Sequence, residues 1–287
     1  MFAILSVARG RQRRMPRQSP LTRDLLRGPG HSLRNRIEEV DGDVVGYLVI
    51  LIVIPFLAYS IHISQSYFAG NTESPIRVVA SASIALLTTV GTGLLLLRAL
   101  EERRRLRSGL EGELAVGEEL NQLMLLGCRV FHDVPFPYGN IDHVVVCPAG
   151  VCSINTKMRG KPKLGENRAD AFVDGSRGKI RFPEGEFPIP IAQLETESRW
   201  LGQFLSEAVG ESVVVRPMLA LPGWFIKRSA EPGGAYVFNP RNPHQLFLSG
   251  REVLSAEMIR RIAHQLDQRC RDVEVRPRAS AAWSRKN

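Results

Sequence analysis

Lysine is scarce in this chain: of 38 basic residues only six are lysine, at positions 157, 161, 163, 179, 227 and 286. Cysteine is scarce too, with four in 287 residues. Cys128, Cys147, Cys152 and Cys270 form neither a Cys-x-x-Cys pair nor a Cys/His spacing suited to zinc. That excludes a zinc-finger module and a fold built on a disulfide framework, and it leaves reduced, packed thiols as the expectation. A phosphate-cradling glycine loop, a dinucleotide-binding glycine pattern, a Ser/His/Asp signature and internal repeats are all missing. A secretory signal peptide is not expected, because the apolar stretch from Met1 to Val7 is short and precedes the charges instead of following them.

Charge is absent from two long runs. Residues 44–63 and 78–97 hold no Asp, Glu, Lys or Arg, and twenty helical residues at about 1.5 Å each span the roughly 30 Å of a bilayer's hydrocarbon. The pattern predicts a two-helix transmembrane hairpin. Pro55 should kink the first span, and Tyr47, Tyr59 and Tyr67 lie toward its ends, where aromatic rings favour the interface. Ser81, Ser83, Thr88, Thr89, Gly91, Thr92 and Gly93 give the second span small residues for close helix packing.

The net charge of +9 and pI near 9.8 point to anionic partners, headgroups or nucleic acid, but the charge is distributed as topology demands. Nine Arg precede residue 37 and five lie between Arg98 and Arg107, against Arg77 alone in the 64–77 connection. Both termini and the soluble part are therefore expected on the cytoplasmic side of the cell (inner) membrane, with 64–77 as a short external loop. Residues 1–40, rich in Arg, Pro, Gly and Ser, read as a disordered basic tail, 98–108 as a charged linker and 275–287 as a disordered end.

Beyond the linker, helical and two-residue periods alternate, which predicts a mixed α/β domain over residues 109–274. Apolar residues at helical spacing predict a helix over 111–127, followed by a strand over 129–134. A strand pair follows: Gly139 to Cys147, a turn at Pro148-Ala149-Gly150, and Val151 to Asn155. Ala171–Val173 and Lys179–Phe182 suggest a hairpin extending the same sheet. A helix is expected over 191–209 and a doubly buried strand over 212–221. Residues 236–238 and 245–248 read as later strands, and 255–270 as a closing helix.

The chemistry gathers on the strand pair. Residues two apart on a strand share a face, so Asn155 and Lys157 point the same way on the second strand, while Asp142 stands at the mouth of the first. A carboxylate there suits Mg²⁺, which prefers hard oxygen ligands and keeps several waters. In a chain that otherwise uses Arg, a Lys marks a place where a compact ammonium does what a planar guanidinium does not. His143 points to the opposite face and reads as structural.

The run NIDHVVVCPAGV followed by INTK, Gly112-Glu113 within SGLEGELAVGEEL, and PIAQLETESRWLGQFL together resemble the nuclease-related domain, NERD, a branch of the PD-(D/E)xK nuclease superfamily. The resemblance covers roughly residues 109–226. It implies a restriction-endonuclease-like mixed sheet flanked by helices and metal-dependent hydrolysis of nucleic-acid phosphodiesters, DNA ahead of RNA. Mg²⁺ (or Mn²⁺) would be held by Asp142 and Glu113, with Lys157 positioning water and Gln193 supporting it. Glu118 and Glu119 compete with Glu113 as the helix acid, and Lys161 and Lys163 are candidate backbone contacts. Asn155 departs from the pattern, since the family places an acid two residues before the lysine. Two readings follow: a nuclease in which Asn155 ligates through its amide oxygen, or a catalytically degenerate fold that binds nucleic acid or protein at the membrane.

Overall fold

The computed structural model describes residues 23–68, 75–162, 170–230 and 235–273. The greater part of the expected basic tail, the middle of the external loop, Lys163 and the C-terminal end lie outside these residues.

Two long helices come first, α1 (His31–Phe68) and α2 (Pro75–Asn121), and they pack on each other. Both are long and apolar enough to cross a membrane. Their apolar windows are 0% and 6% buried, so side chains such as Ile52, Phe56 and Leu87 face outward and form no core. Near one end the helices are tied by polar pairs, Arg36 to Glu102 at 2.8 Å and Arg103 to Asp41. The charged linker is not a separate element: α2 runs unbroken through residues 98–108 into the helix expected to start at 111. No glycine cap or proline interrupts it, and a short 3₁₀ turn, Gln122–Leu126, ends it at Gly127, whose φ of 87° closes the helix.

Residues 23–40 of the expected tail are structured. Strand β1 (Leu25–Leu26) pairs antiparallel with the last strand, β11 (Arg271–Val273), and α1 begins at His31. Arg27 joins the two ends of the described chain, donating to both carboxylate oxygens of Asp272 at 2.7 Å.

The soluble part is mixed α/β, as expected. Strands β2 (Arg129–Phe136), β3 (Gly139–Cys147) and β4 (Gly150–Thr156) form an antiparallel meander, and β8 (Val215–Ala220) and β10 (Tyr236–Phe238) extend it in parallel, giving the order β10-β8-β4-β3-β2. Valine-rich stretches such as HVVVC suit pleated strands covered on both faces. Against one face lie α2 and the short helix α4 (His244–Leu248), through Val116, Leu120, Phe238 and Phe247. Helices α3 (Ile191–Val209) and α5 (Ala256–Cys270) cover the other, through Leu201, Leu205, Ile262 and Leu266. Ser255 caps α5 by accepting from the Met258 N–H at 3.1 Å.

Two sequence expectations are corrected. Residues 171–173 and 179–182 do not extend the main sheet: β5 (Asp170–Asp174), β6 (Lys179–Phe182), β7 (Gly185–Pro188) and β9 (Phe225–Ala230) form a second sheet of order β7-β6-β5-β9. Its inner residues Ala171, Val173, Ile180 and Phe182 enclose Trp224. Residues 245–248 are helical, because Pro243 leads into a turn where the Leu246 and Phe247 N–H groups return to its carbonyl.

Candidate metal and nuclease site

The central meander brings the predicted residues together at one end of the sheet. Paired residues of β3 and β4 run from Cys147↔Gly150 to His143↔Ile154; one step further in that register sets Asp142 opposite Asn155. The chain holds this end tightly: the Thr156 N–H donates to Asp142 Oδ2 at 2.6 Å, and the Lys157 N–H donates to the Ala220 carbonyl on β8 at 3.0 Å. Asn155 is buried, whereas the Lys157 side chain is exposed at the rim.

Glu113 arrives from α2, on the other side of the sheet. It does so because residue 112 is glycine: a Cβ there would lie 2.7 Å from Met158 Cβ and 3.4 Å from Thr156 Cγ2. Any larger residue would push the helix off the strand end. Glu113 is buried, while Glu118 is exposed and Glu119 pairs with Gln122.

Burial is the main force on the two acids. It pushes Glu113 up to about 8, with the Asp142 and Asp133 charges adding to the rise. Burial likewise pushes Asp142 up to about 7; the Thr156 N–H pulls it down, the Glu197 charge pushes it further up, and Lys157 offsets part of that. Each of these acids feels the other or a third acid, and all feel Lys157. The arrangement is a pocket that holds its acids toward their protonated forms, with one ammonium at its edge.

Gln193, on α3, does not stand alone. It donates to Glu197 Oε1 at 2.7 Å, and Asn155 Nδ2 donates to the same oxygen at 3.4 Å. Glu197 was not among the residues the sequence singled out. The signal was available in the Gln193-x-x-x-Glu197 spacing, which places two polar side chains one helical turn apart on the same face.

Residues 108–222 match the family described as the nuclease-related domain, NERD. The chain carries a NERD domain. No match is found among the curated proteins or the solved structures. The matched stretch contains every residue of the site just described and both helices that supply its acids, α2 in part and α3 whole.

Within the NERD domain the remaining polar groups are mostly satisfied. His143 is buried with its Nδ1 2.8 Å from His132 Nδ1 and its Nε2 without a partner, and His132 Nε2 lies 3.0 Å from Asn121 Oδ1. Burial lowers both imidazoles, His132 to about 4, so the pair is neutral and structural, as the strand alternation suggested for His143. All four cysteines are free and buried. Lys161 places its ammonium 5.8 Å from the Trp224 ring centre.

Four buried atoms around the site have no protein partner: Asn155 Oδ1, Glu197 Oε2, Thr156 Oγ1 and, deeper, Ser153 Oγ. A groove of about 550 Å³ reaches Glu197 and is lined also by Phe136, Tyr138, Asn140, Gln193 and Thr196. Tyr138 is exposed at its edge, presenting a ring face of the kind on which a base can stack.

Proposed function

We propose that this chain is a membrane-anchored nuclease that hydrolyses phosphodiesters of nucleic acid at the cytoplasmic face. What supports the reading is the register that sets Asp142 opposite Asn155 at the strand end, with Glu113 and Lys157 near enough to act on Asp142 or feel its charge, inside the NERD match.

The donor set is compatible with a hard divalent cation. Its members are oxygens only, and two of them, on Asn155 and Glu197, are buried without a partner. Among the described residues, no three side chains of His, Cys, Asp or Glu converge closely enough to hold an ion by themselves. Mg²⁺ and Mn²⁺ ordinarily take one or two carboxylates and fill the remaining positions with water. When bound, such an ion neutralises charge on a phosphate and lowers the pKa of a coordinated water.

The chain's own residues would do the rest. Asp142, fixed by the Thr156 N–H, and Glu113, brought in over Gly112, hold the ion. Lys157, exposed at the rim, orients the attacking water and stabilises charge on the phosphate. Asn155 contributes an amide oxygen, and Gln193 steadies the neighbouring helix side chain. Phe136 and Tyr138 offer a stacking surface for the substrate. Helices α1 and α2 anchor the domain in the membrane, and the Arg distribution orients it inward. Arg103, Arg104 and Arg107, on the segment of α2 next to the membrane, meet anionic headgroups or nucleic acid there.

The test uses the full chain in detergent, incubated with DNA and with RNA in Mg²⁺ or Mn²⁺, beside Asp142→Ala and Lys157→Ala. Cleavage lost in both variants supports the reading. Salt-sensitive binding that needs no metal and survives both changes, without cleavage, identifies a binding-only domain instead.

A further inference from the structure

We infer that Glu197 supplies the carboxylate that the second strand lacks: the acid usual two residues before the lysine has its counterpart on α3, across the pocket from Asn155. The inference rests on the nuclease reading and adds to it a metal ligand from an element that the strand motif does not include.

Three observations converge. Glu197 is 1% exposed and Asn155 2% exposed, and they are in direct contact through Asn155 Nδ2 and Glu197 Oε1 at 3.4 Å. A carboxylate at position 197 therefore stands next to the place where one at position 155 would have stood. Second, Gln193 donates to the same Oε1 at 2.7 Å. Both amide donors thus secure one oxygen, and Glu197 Oε2 is left buried with no protein partner, as is Asn155 Oδ1 on the residue it touches. A proton on Glu197 Oε2 satisfies both only by bonding the two oxygens to each other and neutralising the carboxylate, whereas an ion keeps Glu197 charged. A cation between Oε2 and Asn155 Oδ1 relieves both at once. Third, Glu197 acts electrostatically on Asp142, and Lys157 acts on both, so the three groups share one pocket.

This arrangement gives Asn155 and Gln193 defined work. An acid at 155 beside an acid at 197 would set two carboxylates against each other, whereas an amide donates to one oxygen of Glu197 and turns its own oxygen toward the ion. Gln193 is then a positioning residue, acting on the ion through Glu197.

The experiment measures Mn²⁺ affinity of the full chain in detergent by titration calorimetry, with the free ion followed by paramagnetic resonance, for wild type, Glu197→Gln, Glu197→Asp and the double change Asn155→Asp with Glu197→Gln. Thermal melting confirms that each is folded. Glu197→Gln is expected to weaken Mn²⁺ binding by about tenfold or more, and returning the carboxylate to the strand in the double variant to restore most of it. Gln193→Ala should weaken binding less than Glu197→Gln does. Unchanged affinity in a folded Glu197→Gln, with wild type binding Mn²⁺ and cleaving, overturns this inference and leaves the nuclease reading standing. If Glu197→Gln does not fold, Glu197→Asp and the double variant decide: wild-type affinity in the first and no recovery in the second overturn the inference. A folded wild type that binds no Mn²⁺ overturns both.

Discussion

Two aspartates, one strand apart, show what this domain does with a buried negative charge. Asp133 on β2 and Asp142 on β3 belong to the same paired stretch, flanked by His132↔His143 and Val134↔Ile141. Asp133 is fully provided for. Arg27 Nη1 donates to it at 2.9 Å, the Ser32 hydroxyl at 2.7 Å and the Ser32 N–H at 3.2 Å, and Asn140 supports the cluster through Ser32 at 2.8 Å. Its φ of 51°, unusual for a residue other than glycine, is held by these contacts. Asp142 receives one backbone N–H and feels the charges of Glu197 and Asp133, offset in part by the Lys157 ammonium at the rim. One site is closed with the protein's own cation, and the other is open to a foreign one. On the proposed reading, the difference separates a structural carboxylate from a metal ligand more sharply than burial does.

The largest expected effect falls on the open side. Asp142→Asn should reduce cleavage by about a thousandfold or more, the loss expected when several kcal/mol of metal-based stabilisation disappears. The fold should survive, since a neutral amide relieves a buried, poorly paired charge. Retained cleavage in this variant would remove Asp142 from the site.

Arg27→Ala addresses the closed side and should show the converse. Arg27 and Asp133 expose only 15% and 4% of their side chains, so stranding the carboxylate should cost about 2–4 kcal/mol, seen as a lower melting temperature in detergent. Cleavage per folded molecule should be unchanged. If Arg27→Ala melts like wild type while losing cleavage, the assignment of the two aspartates is reversed.

Gly112→Ala tests how the open site is assembled. A Cβ 2.7 Å from Met158 must displace α2, with about 1–3 kcal/mol of overpacking strain and weaker Mn²⁺ binding as Glu113 shifts. Melting and calorimetry read the two effects separately.

The smallest effect is a pH dependence. Glu113 and Asp142 have folded values raised to about 8 and about 7 from ordinary values of 4.5 and 3.8. Raised carboxyls stabilise the fold fully below their unfolded values and lose that contribution as pH climbs through the folded ones. Without metal, stability should therefore fall as pH rises from about 5 to about 8, and Mn²⁺, which binds the ionised forms, should offset the fall increasingly with pH. His132, lowered to about 4, and Cys147, lowered to about 7 chiefly by its contact with Cys128, also change protonation around this range. The slope is accordingly read as the difference between wild type and Asp142→Asn, in which those contributions cancel. No difference in slope would mean that Asp142 is ionised in the metal-free fold.

Much of this was legible in the sequence, for physical reasons. Charge-free runs of bilayer length gave the two apolar helices, and strand alternation put Asn155 and Lys157 on one side of a strand whose observed register sets it beside Asp142. The helix at 191–209 has the expected bounds because Pro190 precedes it and Gly210, at φ 76°, closes it. What stayed hidden depended on contacts distant in sequence. Glu197 looks like any helix-surface acid until α3 docks on β4, and Arg27 looks like one more charge in a basic tail until β1 pairs with β11. The second sheet was invisible because nothing local states which strand a hairpin joins; β5 pairs with β9, which lies more than fifty residues further along the chain. The 245–248 segment is too short for its period to distinguish helix from strand.

The most direct measurement is the anomalous signal of Mn²⁺ soaked into crystals of the protein. The account predicts a peak about 2.0–2.3 Å from an Asp142 oxygen, within reach of Asn155 and Glu197, and none beside Asp133. A peak at Asp133, or none at Asp142 under conditions where the protein cleaves nucleic acid, would contradict it.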